Sequence, residues 1–176
     1  MADLLGNIFD EVHSAIQNWR PQKEFNKEID CRDDLVEFLR KTLNQQNYLG
    51  IANHFNIQTE SGRHLCDIGI NRRIGIELKL DLRTKSQADR LFGQVDGFLD
   101  DYVEGVIIVL CGKTDMQQVD YLKDKLSKYS QPTIYGGKIM KIITKSFKKP
   151  SRQQAGNPFE INLPEVPDIK FPDIHF

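Results

Sequence analysis

The chain is poor in the residues that would give it an easy functional label. Its three cysteines, Cys31, Cys66 and Cys111, are an odd number in no zinc-motif spacing, so they read as reduced thiols rather than a disulfide framework. Its four histidines are scattered, with no Ser/His or Cys/His arrangement for nucleophilic catalysis. No apolar run reaches the ~20 residues of a membrane helix, and the N-terminus lacks the basic start and apolar core of a signal peptide. Neither sign of charge is in surplus, since 24 basic residues against 25 acidic leave a net −1. Without a global attraction to polyanions, any nucleic-acid binding must rest on a local patch. These absences predict a cytoplasmic protein with no membrane partner. At 176 residues and 39% hydrophobic content the chain can bury the core of one domain.

What is present is concentrated between His64 and Leu80. Side chains alternate along a strand, so Ile74, Ile76, Leu78 and Leu80 share one face, and Glu77 and Lys79 the other. In the preceding strand Cys66, Ile68 and Ile70 form the apolar set and Asp67 points the opposite way. A three-residue loop, Asn71-Arg72-Arg73, pairs Ile70 with Ile74 and Ile68 with Ile76, keeping apolar faces together. That register sets Asp67 across from Glu77. Two carboxylates so placed repel each other. A divalent cation between them would turn the repulsion into binding, because Mg²⁺ takes carboxylate oxygens and keeps waters for phosphate substrates. Lys79, one pleat beyond Glu77, is within reach of a metal-bound water or a phosphate oxygen.

Asp67, nine intervening residues and Glu77-Leu78-Lys79 resemble the core motif of the PD-(D/E)xK nuclease superfamily. The resemblance covers about residues 22–145, with Cys66 where the family often has proline. It implies an α/β, restriction-endonuclease-like core: helix, three-strand meander, helix, strand, in a mixed central sheet flanked by helices. It also implies hydrolysis of phosphodiester bonds, most plausibly in DNA, with Mg²⁺ or Mn²⁺ held by Asp67, Glu77 and the Leu78 backbone carbonyl. Lys79 would orient the attacking water. Many family members add an acidic residue from the first core helix. On a helix over 24–43, Glu28 projects from the side of Arg32, Leu35, Val36, Leu39 and Leu43, while Glu37 points away. Glu28 is therefore the candidate fourth group, with Glu24 in reserve. Gln94-Val95-Asp96-Gly97-Phe98 is similar to the Gln-x-x-x-Tyr motif of the RecB-type and phage-exonuclease branch, with phenylalanine for tyrosine, and makes Gln94 a candidate for positioning water or phosphate. The alternative is a nuclease-fold subunit that binds DNA or assembles without turnover.

The rest of the chain frames this core. Residues 3–19 carry Leu4, Leu5, Ile8, Phe9, Val12, Ala15, Ile16 and Trp19 at helical spacing. They read as an N-terminal extension (1–21) that docks on its own domain or on a second copy. Phe55, Ile57 and Thr59 alternate with polar residues as a first strand. Thr84 with Gln87 forms a capping box opening the next helix, and Gly105–Cys111 is apolar enough for a strand buried on both faces. A further helix is expected over Met116–Tyr129 and a last strand over Lys138–Phe147. From Lys138 to Arg152 there are six basic residues, Lys138, Lys141, Lys145, Lys148, Lys149 and Arg152, and no acidic one. They read as a phosphate-tracking strip, extended by Arg72 and Arg73, or as a solubilising strand edge. The nuclease-like domain is then 22–150. The tail, 151–176, is Pro-rich and acidic, with Pro167-Asp168-Ile169-Lys170-Phe171 nearly repeated as Pro172-Asp173-Ile174-His175-Phe176. Its aromatic end resembles the partner-docking tip of bacterial single-stranded-DNA-binding proteins, which implies a protein partner. An arm packed on its own or a neighbouring subunit fits equally.

Overall fold

The computed structural model describes residues 8–44, 54–129 and 139–147. The chain runs α1 (Ile8–Asn18), α2 (Glu28–Leu43), β1 (Ile57–Ser61), β2 (Cys66–Ile70), β3 (Ile74–Leu80), α3 (Lys85–Asp101), β4 (Gly105–Cys111), α4 (Met116–Leu126), a short 3₁₀ turn and β5 (Ile139–Lys145). The five strands form one mixed sheet in the order β1-β2-β3-β4-β5. β1, β2 and β3 are antiparallel neighbours, while β4 runs parallel to both β3 and β5.

Each face of the sheet has its own core. Ile68, Ile70, Ile74, Ile76, Leu78, Ile107 and Val109 pack with α1 and α2. Val106, Ile108 and Leu110 pack with α3 and α4. Burial of every β4 residue follows from this sandwiching, as the apolar run predicts. The expected register holds: Ile70 opposes Ile74 and Ile68 opposes Ile76. The connecting turn puts Asn71 and Arg72 at φ 53° and 55° and closes with an Arg73 N–H to Ile70 carbonyl bond of 2.9 Å, as in a type I′ turn. The Thr84–Gln87 capping box starts α3.

Some boundaries and one facing differ from expectation. Helix α2 begins at Glu28 rather than 24, and β1 is Ile57–Ser61. Cys66 joins the α3-side core instead of Ile68 and Ile70, because the β2–β3 ladder ends at Ile68–Ile76 and the chain enters β2 from Leu65 at φ 55°. Of the two surfaces considered for the N-terminal helix, its own domain takes the described part: Phe9, Val12, Ala15, Ile16 and Trp19 are all buried in the core that α2 shares. Leu4 and Leu5, the start of its apolar stripe, lie outside the described residues. The acidic tail lies outside the described residues.

Gly69 and Gly75 are cross-strand partners, on the face that also carries Glu77. A methyl group on Gly75 would lie 2.6 Å from the ring of Tyr102, and one on Gly69 would lie 3.1 Å from its hydroxyl. The glycine pair is therefore the seat of Tyr102, which is 1% exposed. Gly75→Ala is expected to cost about 1–3 kcal/mol through overpacking, read as a lowered melting temperature at unchanged secondary structure.

Candidate active site

Past Ile76 the strand β3 loses its neighbour, and the peptide groups of Leu78 and Leu80 face a vacant edge. Residues two apart in a strand present their N–H groups to the same side, and buried N–H groups require acceptors. Here carboxylates supply them. The Asp67 carboxylate accepts the Leu78 N–H at 2.8 Å, and the Glu28 carboxylate accepts the Leu80 N–H at 3.0 Å. The Leu78 carbonyl points toward the same edge as its N–H. Lys79 Nζ donates to Glu28 at 3.1 Å, with the other carboxylate oxygen at 2.9 Å. The first turn of α2 thus delivers Glu28 to the end of β3. Glu37 instead sits on the solvent side paired with Lys41.

Asp67 and Glu77 lie just past the end of the β2–β3 ladder, and the weakly compensated member is Glu77. Glu77 is 5% exposed, and among the described residues its carboxylate accepts a single hydrogen bond, 3.4 Å from the Asp67 N–H. Burial, and then the charge of Asp67, push the Glu77 carboxyl up to about 8. Burial also pushes the Asp67 carboxyl up; Glu28 adds to this, while the Leu78 N–H, Arg32 and Lys79 oppose it. Arg32 was placed by periodicity on the Glu28 side of α2, four residues on, but nothing in the sequence tied it to Asp67. It bonds Asp33 at 2.9 Å and Glu60 at 3.3 Å, and its charge acts on Asp67.

The donor set can be tested for fit to a divalent cation. Two carboxylates and a backbone carbonyl on one strand edge are the oxygen ligands Mg²⁺ and Mn²⁺ prefer, and the poorly compensated pair supplies the attraction. Glu28, however, is held by Lys79 and the Leu80 N–H instead of joining Asp67 and Glu77, because the lysine and the free strand amide satisfy it more cheaply than two like charges. Accordingly, no group of three or more His, Cys, Asp or Glu side chains among the described residues is arranged to hold a metal ion. The residues fit a cation held by two side chains, a carbonyl and water.

The other expected site residues are dispersed. Gln94 is half-buried on α3, one turn before Gly97, whose Cα faces the His64 ring; no hydrogen bond joins it to Asp67, Glu77 or Lys79 among the described residues. Arg72 and Arg73 stand at the opposite end of the hairpin, and Arg73 is paired with Glu104. Lys141 is exposed on β5. Lys145 departs from the proposed phosphate strip. It is 8% exposed and donates to the Gln17 and Trp19 carbonyls at 2.8 and 2.9 Å, closing the C-terminal end of α1. Burial, with Arg20 beside it, holds its ammonium below the usual lysine range. Lys138, Lys148, Lys149 and Arg152 lie outside the described residues. Lys145→Met is expected to cost about 1 kcal/mol, since Arg20 still donates to both carbonyls, and to leave nucleic-acid affinity unchanged in a binding titration.

All three cysteines are free and buried. No described helix is long and apolar enough to cross a membrane. No family model matches this chain, and neither a curated protein nor a solved structure gives a significant match.

Proposed function

We propose that the chain is a divalent-metal-dependent nuclease of the restriction-endonuclease-like kind, hydrolysing phosphodiester bonds, most plausibly in DNA. The observation that carries this is the buried, weakly compensated Glu77 carboxyl, raised by burial and by the charge of the half-buried Asp67, beside Lys79 on the edge of β3 that β2 has left. A purely structural sheet gains nothing from such a pair, since burying an uncompensated carboxylate costs several kcal/mol. Support also comes from the order α2, meander, α3, β4, which resembles the core order of PD-(D/E)xK nucleases.

In this function Asp67, Glu77 and the Leu78 carbonyl would hold Mg²⁺ or Mn²⁺. When bound, the ion would supply water activation and charge neutralisation at the scissile phosphate. Lys79 presents its ammonium to the attacking water and to the phosphoryl oxygens as their charge grows. Glu28 is a positioning residue: its grip on Lys79 Nζ and the Leu80 N–H fixes the lysine's direction. The test is incubation of purified protein with linear, circular and single-stranded DNA in Mg²⁺, Mn²⁺ or chelator. Cleavage only with metal supports the function, and intact substrates under all conditions refute it.

A further inference from the structure

Strand β1 is an outer strand of the sheet, and along its free side runs a groove of about 740 Å³ whose walls include Arg40, Glu60, Arg63, Arg72, Asp101 and Tyr102. Its acidic groups are already neutralised. Asp101 is bonded by Arg63 at 3.2 Å and by His64 at 3.1 Å, and Glu60 is bonded by Arg32 at 3.3 Å. The remaining guanidinium groups are not. Among the described residues Arg40 meets the Ile57 carbonyl, at 3.3 Å, and no carboxylate, and Arg72 has no carboxylate partner there either. Arg72 also occupies a turn position at φ 55°, where a bulky side chain is strained and glycine would be cheaper. A long cation kept at a strained tip, over a groove with uncompensated positive charge, fits a polyanionic occupant. The groove is linked to the candidate site through one side chain, since Glu60 on its wall binds the same Arg32 whose charge acts on Asp67.

We infer that the β1 groove is the track for a nucleic-acid phosphodiester backbone leading to Asp67, with Arg40 and Arg72 as phosphate contacts. This rests on the nuclease function, but its test separates the two. Binding of a short fluorescein-labelled DNA duplex and of its single strand is followed by anisotropy in chelator, across a salt series, for wild type, Arg40→Ala, Arg72→Ala, Arg72→Gly and the control Lys123→Ala, an exposed α4 lysine paired with Asp120. Each arginine variant is expected to weaken binding several-fold and to reduce the slope of log K against log salt by roughly 0.9 on the duplex or 0.7 on the single strand. Arg72→Gly keeps or relieves the turn, so its loss of affinity cannot be ascribed to misfolding. Lys123→Ala is expected to match wild type.

Wild-type slopes in the arginine variants, or no DNA binding by the wild type, overturn the groove. So does an altered oligomeric mass at unchanged affinity, which would make it a protein interface. Arginine-dependent binding without metal-dependent cleavage keeps the groove and removes the nuclease. Cleavage that survives unchanged in Arg40→Ala and Arg72→Ala does the reverse.

Discussion

Lys79→Ala is expected to leave a folded protein whose metal-dependent DNA cleavage falls at least 10²–10³-fold, about 3–4 kcal/mol of transition-state stabilisation. The fold tolerates the change for a specific reason. The Lys79–Glu28 pair is part-exposed, at 22% and 37%, and such pairs contribute about 0–1 kcal/mol. Glu28 also keeps its bond to the Leu80 N–H. The melting temperature should therefore move by no more than about 2–4 °C. Lys79→Met, which retains most of the aliphatic stem, separates loss of charge from loss of packing and should be equally inactive. Initial rates on supercoiled plasmid, with melting curves on the same samples, read both quantities. Wild-type rates in either variant would remove Lys79 from the chemistry.

Glu77 predicts an unusual dependence of stability on pH in chelator. Its folded-state pKa is raised from 4.5 to about 8, so between those values the folded chain retains a proton that the unfolded chain has released. Stability from this group is complete below about 4.5 and is lost as pH rises through 8, by at most about 1.4 kcal/mol per pH unit. Asp67 is shifted in the same direction and adds to the trend. Metal-free wild type should thus melt several degrees lower at pH 8.5 than at pH 6. Glu77→Gln, neutral at every pH and nearly isosteric, should flatten most of that slope and exceed wild type in stability at pH 8.5. Mg²⁺ or Mn²⁺ should raise the wild-type melting temperature most on the alkaline side, where the carboxylates are ionised, and should do little for Glu77→Gln. A wild-type curve that rises toward pH 8.5 would mean Glu77 is not buried against Asp67.

The hairpin was the most legible part of the chain because a two-residue period admits only one register that keeps Ile68, Ile70, Ile74 and Ile76 together. That register alone set Asp67 across from Glu77. Helical periodicity likewise selected Glu28 over Glu37, since the two project to opposite sides of α2. The pattern did not foretell what happens where regular pairing stops. Cys66 has the parity of Ile68 but enters the other core after β2 leaves β3. Glu28 reaches the site, yet it binds Lys79 and a strand amide that only the loss of a neighbouring strand leaves free. Lys145 shares a face with Ile143, and its charge count suggested phosphate. Its partners are two helix-end carbonyls from a segment more than a hundred residues away that no local pattern connects to it. Amphipathicity marked α1 as having a face to bury without saying which surface would bury it.

The central claim is that Asp67, Glu77 and the Leu78 carbonyl converge on a cation. Crystals grown or soaked in Mn²⁺ test it most directly through anomalous difference density. The account predicts a peak bridging the two carboxylates at the open edge of β3, absent from Glu77→Gln crystals treated identically. Manganese bound only elsewhere, with the Asp67 carboxylate still on the Leu78 N–H, would contradict it.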